Sequence, residues 1–111
     1  MELQLTTRHE GDVAIVGAQG EVDVFTAPGL DAELDALVSG GNSRLVVDLS
    51  GVAFLDSTGL GVLVKALKHA READGWLRLV VTGDRIRKIF EITGLDASIP
   101  IFDTAQDAIA G

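Results

Sequence analysis

Asp56-Ser57-Thr58-Gly59-Leu60-Gly61-Val62-Leu63 decides how this chain is read, because it joins an apolar, strand-like run to an apolar-periodic helix. Upstream, Arg44-Leu45-Val46-Val47-Asp48-Leu49 is short, β-branched and almost continuously apolar, as a central strand covered on both faces should be. Downstream, Leu60, Leu63, Val64, Leu67 and Ala70 recur at helical spacing, and Lys65, Lys68, His69 and Glu72 fall on the opposite face. Asp56 or Ser57 supplies the N-cap, since either side-chain oxygen accepts an orphan amide of the first turn. The two glycines are harder to place. Each costs a helix roughly 1 kcal/mol relative to Ala, and local rules are broken most often where function demands it. Without Cβ atoms, Gly59 and Gly61 leave a low-relief helix start beside the Ser57 hydroxyl, open to close approach by another molecule.

Outward from this segment, strands and helices alternate. Leu3-Gln4-Leu5-Thr6-Thr7 and Val13 to Ala18 read as a hairpin turning at Glu10-Gly11-Asp12. Gly20 is expected to end the second strand, and Thr26 to cap a helix with Pro28 in its first turn. Leu30, Leu34, Leu37 and Val38 form that helix's apolar stripe, and Gly40-Gly41 stops it. Trp76 to Val81 is the next strand. Asp84 is expected to cap a third helix that turns Ile86, Ile89 and Phe90 inward and stops at Gly94. Ile99 to Phe102 is a short edge segment, and Thr104 caps a last small helix. The pattern predicts one α/β domain over residues 1–111, with a mixed β-sheet, an N-terminal hairpin and about four helices. Asp23, the Asp56-Ser57 turn and Asp84 then share one rim, where open α/β sheets place their sites.

Composition narrows the function classes. The chain has 111 residues, 47% of them hydrophobic, which suits one folded domain and argues against disorder. No apolar run approaches the roughly 18–20 residues of a membrane-spanning helix. There is no cysteine, which does not fix the compartment, and no signal peptide is visible, so the cytoplasm is the expected one. The net charge is −8, from 17 carboxylates against 9 basic groups, which works against nucleic acid and anionic lipid as partners. Seven of the nine basic residues lie between Lys65 and Lys88. The first 64 residues are therefore strongly acidic, and a basic partner surface would complement them, although on charge alone a solvated face is the simpler reading.

Four segments carry a family resemblance: Gly20-Glu21-Val22-Asp23, Leu45-Val46-Val47-Asp48-Leu49, Phe54 through Leu63, and Val81-Thr82-Gly83 through Ile89-Phe90-Glu91-Ile92-Thr93-Gly94-Leu95. In order and spacing they resemble the anti-sigma factor antagonists of the STAS domain family. The resemblance implies partner switching of the kind that controls stress-response or sporulation transcription. Such proteins bind an anti-sigma factor that is also a serine kinase of the histidine-kinase-like ATPase fold, and thereby release a sigma factor. The kinase phosphorylates the serine matching Ser57, the complex dissociates, and a PP2C-type phosphatase restores it. The resemblance also places Asp23 on the kinase-binding face, and it implies a partner surface made by Asp23, Asp56, Ser57, Thr58, Gly59, Gly61 and Val62. Thr58 is the alternative phospho-acceptor.

Each of these residues also has a plainer role. Ser57 or Asp56 serves as a cap, and Asp23 as a turn residue. Asp48 belongs either to a solvated strand end or to hydrogen bonds near the Ser57 turn. No catalytic residue, cofactor site or metal site is expected. Ser57 lacks the Gly-x-Ser-x-Gly frame of a nucleophile elbow, His9 and His69 lack the context of a catalytic base, and Gly59-Leu60-Gly61 lacks the spacing of a dinucleotide or phosphate loop. The expected protein is a monomer or weak dimer. The competing readings are a scaffold STAS domain, a STAS subunit of a lipid-transport ABC complex, and a small-ligand or nucleotide sensor.

Overall fold

A hairpin at Gly11-Asp12 folds β1 (Leu3–Glu10) antiparallel onto β2 (Val13–Val22), pairing Glu10 with Val13 and Leu3 with Gly20. The computed structural model, which describes residues 2–111, then alternates helices and strands. These are α1 (Ala27–Ser39), β3 (Arg44–Leu55), α2 (Ser57–Glu72), β4 (Trp76–Val80) and α3 (Asp84–Thr93), followed by a 3-10 turn (Leu95–Ala97), β5 (Ile101–Phe102) and α4 (Ala105–Ala110). The sheet order is β1-β2-β3-β4-β5, antiparallel in the hairpin and parallel thereafter. This is the expected α/β arrangement of a mixed sheet, an N-terminal hairpin and four helices.

Periodicity explains which faces are buried. Leu30 and Leu34 of α1, Leu63 and Leu67 of α2, and Ile86 and Phe90 of α3 share one core with the inner faces of β2, β3 and β4. Each fully buried Leu or Phe contributes roughly 1.5–3 kcal/mol over its exposed state. On the outer face, α4 packs Ala108 against Val13, Ile15, Val46 and Val80. Cover on both faces is why Leu45-Val46-Val47 reads as an unbroken apolar run. The rest of the outer face is polar, and Gln4, Thr6, Gln19, Asp48 and Ser50 line a shallow cavity there.

Several boundaries differ from the sequence expectation. Gly20 does not end β2, because at φ 118 it adopts a backbone that L side chains avoid, and the strand continues to Val22 through a register shift. The Gly20 backbone lies against the Glu2 carbonyl, which accepts the Glu21 amide at 3.1 Å. β3 does not stop at Leu49. Asp48 accepts the Ser50 amide (2.9 Å) and hydroxyl (2.6 Å), a second register shift is absorbed nearby, and the strand runs on to bury Val52 and Leu55. On α2 the inward set includes Ala66, whereas Val64 is only half-buried, at the helix edge. Asp84 is the first residue of α3 and not its cap, which is Gly83. Thr26 occupies the cap position of α1 but makes no capping bond with its side chain.

The parallel strands β2, β3 and β4 all end at the same side of the sheet, so the starts of α1, α2 and α3 gather there. α2 is pressed closest. A Cβ on Gly59 would stand 2.6 Å from Val22 Cγ1 and 2.5 Å from Leu55 Cδ1, whereas one on Gly61 would meet nothing within 4 Å. The two glycines therefore serve different ends. Overpacking of this kind costs about 1–3 kcal/mol, against a gain of roughly 1 kcal/mol in helix propensity. Gly59→Ala is expected to lower unfolding free energy by up to about 2 kcal/mol. Gly61→Ala should raise it by up to about 1 kcal/mol. Urea unfolding of both variants checks the pair, and equal effects would contradict the packing account.

Candidate functional site

Ser57 is the first residue of α2, and it is exposed. The cap is Asp56, whose Oδ1 accepts the amides of Thr58 at 2.9 Å and Gly59 at 3.2 Å. Asp56 has extended backbone (φ −103), as a cap residue requires. Its own amide donates to the Val22 carbonyl at 3.1 Å and ties the helix start to the end of β2. The Ser57 hydroxyl has no capping duty and faces solvent. Thr58 and Gly61 are also exposed, Val62 is half-buried, and Gly59 is buried with its Cα side toward Val22 and Leu55. Gly59 thus belongs to the docking of the helix, and the open surface beside Ser57 is made by Thr58 and Gly61.

Asp23 lies on the neighbouring strand end but points inward. It is 6% exposed, the one buried charged residue among those described. Its Oδ1 accepts the amides of Phe25 (2.9 Å) and Thr26 (3.0 Å). Thr26 completes the knot, as its Oγ1 accepts the Asp23 amide at 2.9 Å and donates to the Glu21 carbonyl at 2.7 Å. Burial by itself would raise the Asp23 carboxyl, but hydrogen bonds from the Thr26 and Phe25 amides hold it below its ordinary value. The structure therefore gives Asp23 the turn role, and Thr26 braces that turn.

Three apolar side chains at this rim were not singled out by the sequence reading. Val24 is 57% exposed, Phe25 85% and Phe54 44%. Val24 and Phe25 follow the end of β2, and Phe54 pairs with Glu21 one residue before the junction of Val22 with Leu55. The available signal was an apolar pair inside a turn, between Asp23 and Thr26, that belongs to no helical or strand stripe.

Other candidate residues lie elsewhere. Asp48 is mid-strand on the outer face, bonded to Ser50, and not at the Ser57 turn. Lys65 pairs with Asp31 (3.1 Å) and His69 with Asp35 (3.3 Å), so the polar face of α2 bridges to α1 through exposed pairs worth about 0–1 kcal/mol each. His69 is about 18 Å along the helix from Ser57, from its rise per residue. His9 pairs with Ala14, at the opposite end of β2 from Val22. Among the described residues no cluster of three metal-ligating side chains occurs, and no helix is long and apolar enough to cross a membrane.

The depressed Asp23 carboxyl makes a pH prediction. A carboxyl lowered by folding contributes stability above its ordinary value of 3.8, and that contribution is lost as pH falls through the lower folded value. Wild type should therefore lose stability relative to Asp23→Asn below about pH 4 and not above about pH 5. Urea midpoints across that range are the measurement, and parallel pH profiles would contradict the assigned hydrogen bonds.

Comparison with known proteins gives the family. The STAS domain family matches residues 4–108. The anti-sigma-B factor antagonist of Staphylococcus aureus (strain NCTC 8325 / PS 47) is 38% identical over 95 residues, covering 86% of this chain and 88% of the relative. The protein of the same name from Staphylococcus epidermidis is 37% identical over the same length and coverage. The crystal structure of an anti-sigma factor antagonist from Mycobacterium paratuberculosis superposes with a TM-score of 0.91 at 32% identity, covering 98% of this chain and 92% of that one. The family match covers nearly the whole domain, and the chain belongs to the STAS domain family.

Proposed function

We propose that this domain is an anti-sigma factor antagonist switched by phosphorylation of Ser57. It binds an anti-sigma factor that is also a serine kinase of the histidine-kinase-like ATPase fold, and so frees a sigma factor. The observation that carries the reading is the position of Ser57, exposed at the start of α2 with capping left to Asp56. In the switching step the kinase's ATP gives its γ-phosphoryl group to Ser57 Oγ. The hydroxyl proton passes to a base on the kinase, and ADP is released. A PP2C-type phosphatase reverses the modification by hydrolysis.

The geometry favours a local switch. The sequence suggests that a phosphate here would meet free amides at the helix start. Two of those amides, on Thr58 and Gly59, are already held by Asp56. A phosphoserine therefore sits beside a carboxylate, and neither segment 21–26 nor segment 54–62 carries a basic residue. It adds about −1.5 to −2 charges and considerable bulk. The fold tolerates this at an exposed position, but a closely packed partner does not. A tenfold loss of affinity needs about 1.4 kcal/mol, and an unmatched desolvated phosphate costs several.

Ser57→Ala is expected to hold the kinase in the presence of ATP, whereas wild type is released over the same time course. Phosphopeptide mapping with affinity measured before and after ATP addition checks this. Equal phosphorylation of wild type and Ser57→Ala would remove Ser57 from the switch, and a shift of the label to Thr58 would move the site by one residue.

A further inference from the structure

We propose that Phe25 is the anchor of the partner interface, its ring seated in an apolar pocket of the anti-sigma factor, and that Asp23 acts through it as a positioning residue. The inference rests on the antagonist reading above and adds to it which side chain carries the affinity and how it is aimed.

Phe25 combines two properties rarely found together. It is 85% exposed, the most exposed large hydrophobic residue among those described, so it contributes little to the core. Its backbone is nevertheless held at both ends of a short turn. The Phe25 amide donates to the buried Asp23 carboxylate, the Thr26 amide donates to the same oxygen, and the Ala27 amide donates to the Asp23 carbonyl at 2.8 Å. An aromatic ring on a fixed backbone has only two torsions to lose on binding, which lowers the entropic cost of docking it. Buried aromatic anchors of this kind dominate interface energetics.

The neighbourhood states the occupant. Val24 and Phe54 are exposed as well, so among the described residues three of the four exposed large hydrophobic side chains lie at or just beyond the ends of β2 and β3, the strands against which α2 starts. These segments carry Glu21 and Asp56, both half-buried, and the buried Asp23, and no basic side chain. A second copy would bring the same carboxylates against each other. A partner with an apolar pocket rimmed by Lys or Arg fits the apolar centre and the acidic surround together. Asp23 itself faces inward and is engaged by the turn, so its contribution reaches the partner through the aim of Phe25.

The test uses the full-length protein and the anti-sigma factor kinase that it captures, purified and titrated calorimetrically at low and high salt. Phe25→Ala is expected to bind at least about 30-fold more weakly, about 2 kcal/mol, with an unchanged melting temperature. Asp23→Asn keeps an oxygen acceptor for both amides and should bind within about threefold of wild type. Asp23→Ala loses the acceptor, so its affinity should fall and amide exchange at Phe25 and Thr26 should accelerate. Wild-type affinity in Phe25→Ala overturns the anchor. Loss in Asp23→Asn equal to that in Asp23→Ala, with a shallower salt dependence, overturns the positioning role in favour of direct charge contact. A Phe25→Ala variant that only abolishes self-association assigns the patch to a second copy and overturns the occupant. If wild type captures no anti-sigma factor, the antagonist reading falls and this inference falls with it.

Discussion

At the end of the sheet where β2 and β3 finish side by side, the Asp56 amide donates to the Val22 carbonyl, and Gly59 lets α2 settle against Val22 and Leu55. These contacts fix the distance between two chain segments far apart in sequence. One segment carries the Asp23 turn with Val24 and Phe25, and the other carries the Asp56 cap with Ser57. A larger residue at position 59 would push the helix start outward and separate them. The site's geometry is thus a consequence of core packing at one glycine, and its rigidity comes from two aspartates that each bind backbone amides at a turn.

Charge gives this rim its direction. With a net charge of −8 and no basic residue on segments 21–26 and 54–62, the domain offers a partner an acidic patch at the ends of β2 and β3, while Arg85, Arg87 and Lys88 belong to the first turns of α3 on the same side of the sheet. A phosphate placed there needs to change little inside the fold to act. Moving a two-state equilibrium from one extreme to the other takes about 5.5 kcal/mol. A doubly charged group left unmatched in a packed interface costs an amount of that order, whereas the same group in water at an exposed helix start costs far less. The contrast between these two environments is the basis of the proposed switch.

Much of this was legible in the sequence because it follows from periodicity. Leu30, Leu34, Leu37 and Val38 recur at helical spacing and all are buried, and the alternation of strands with helices leads directly to the mixed sheet. Strand lengths were less legible, since Gly20 and Ser50-Gly51 have the composition of chain breaks yet sit within register shifts of continuing strands. Capping chemistry was misplaced at Thr26 and Asp84, where the hydroxyl and the carboxylate are not the groups that close the helix start. The roles of Gly59 and Gly61 were treated alike. Gly59 lies four residues before buried Leu63, so helical spacing already points it inward, whereas Gly61 falls on the open side. The orientation of Asp23 could not be read from composition, because only the folded turn shows its carboxylate bound to the two amides that follow it.

The most direct measurement of the central claim is an amide footprint. Isotope-labelled domain is titrated with the purified anti-sigma factor, and backbone shifts are followed by NMR. The account predicts perturbation concentrated at residues 22–26 and 54–62, and its disappearance once Ser57 is phosphorylated. Perturbation centred instead on the polar outer face at Gln4, Thr6, Gln19, Asp48 and Ser50, with residues 22–26 and 54–62 unmoved, would contradict it.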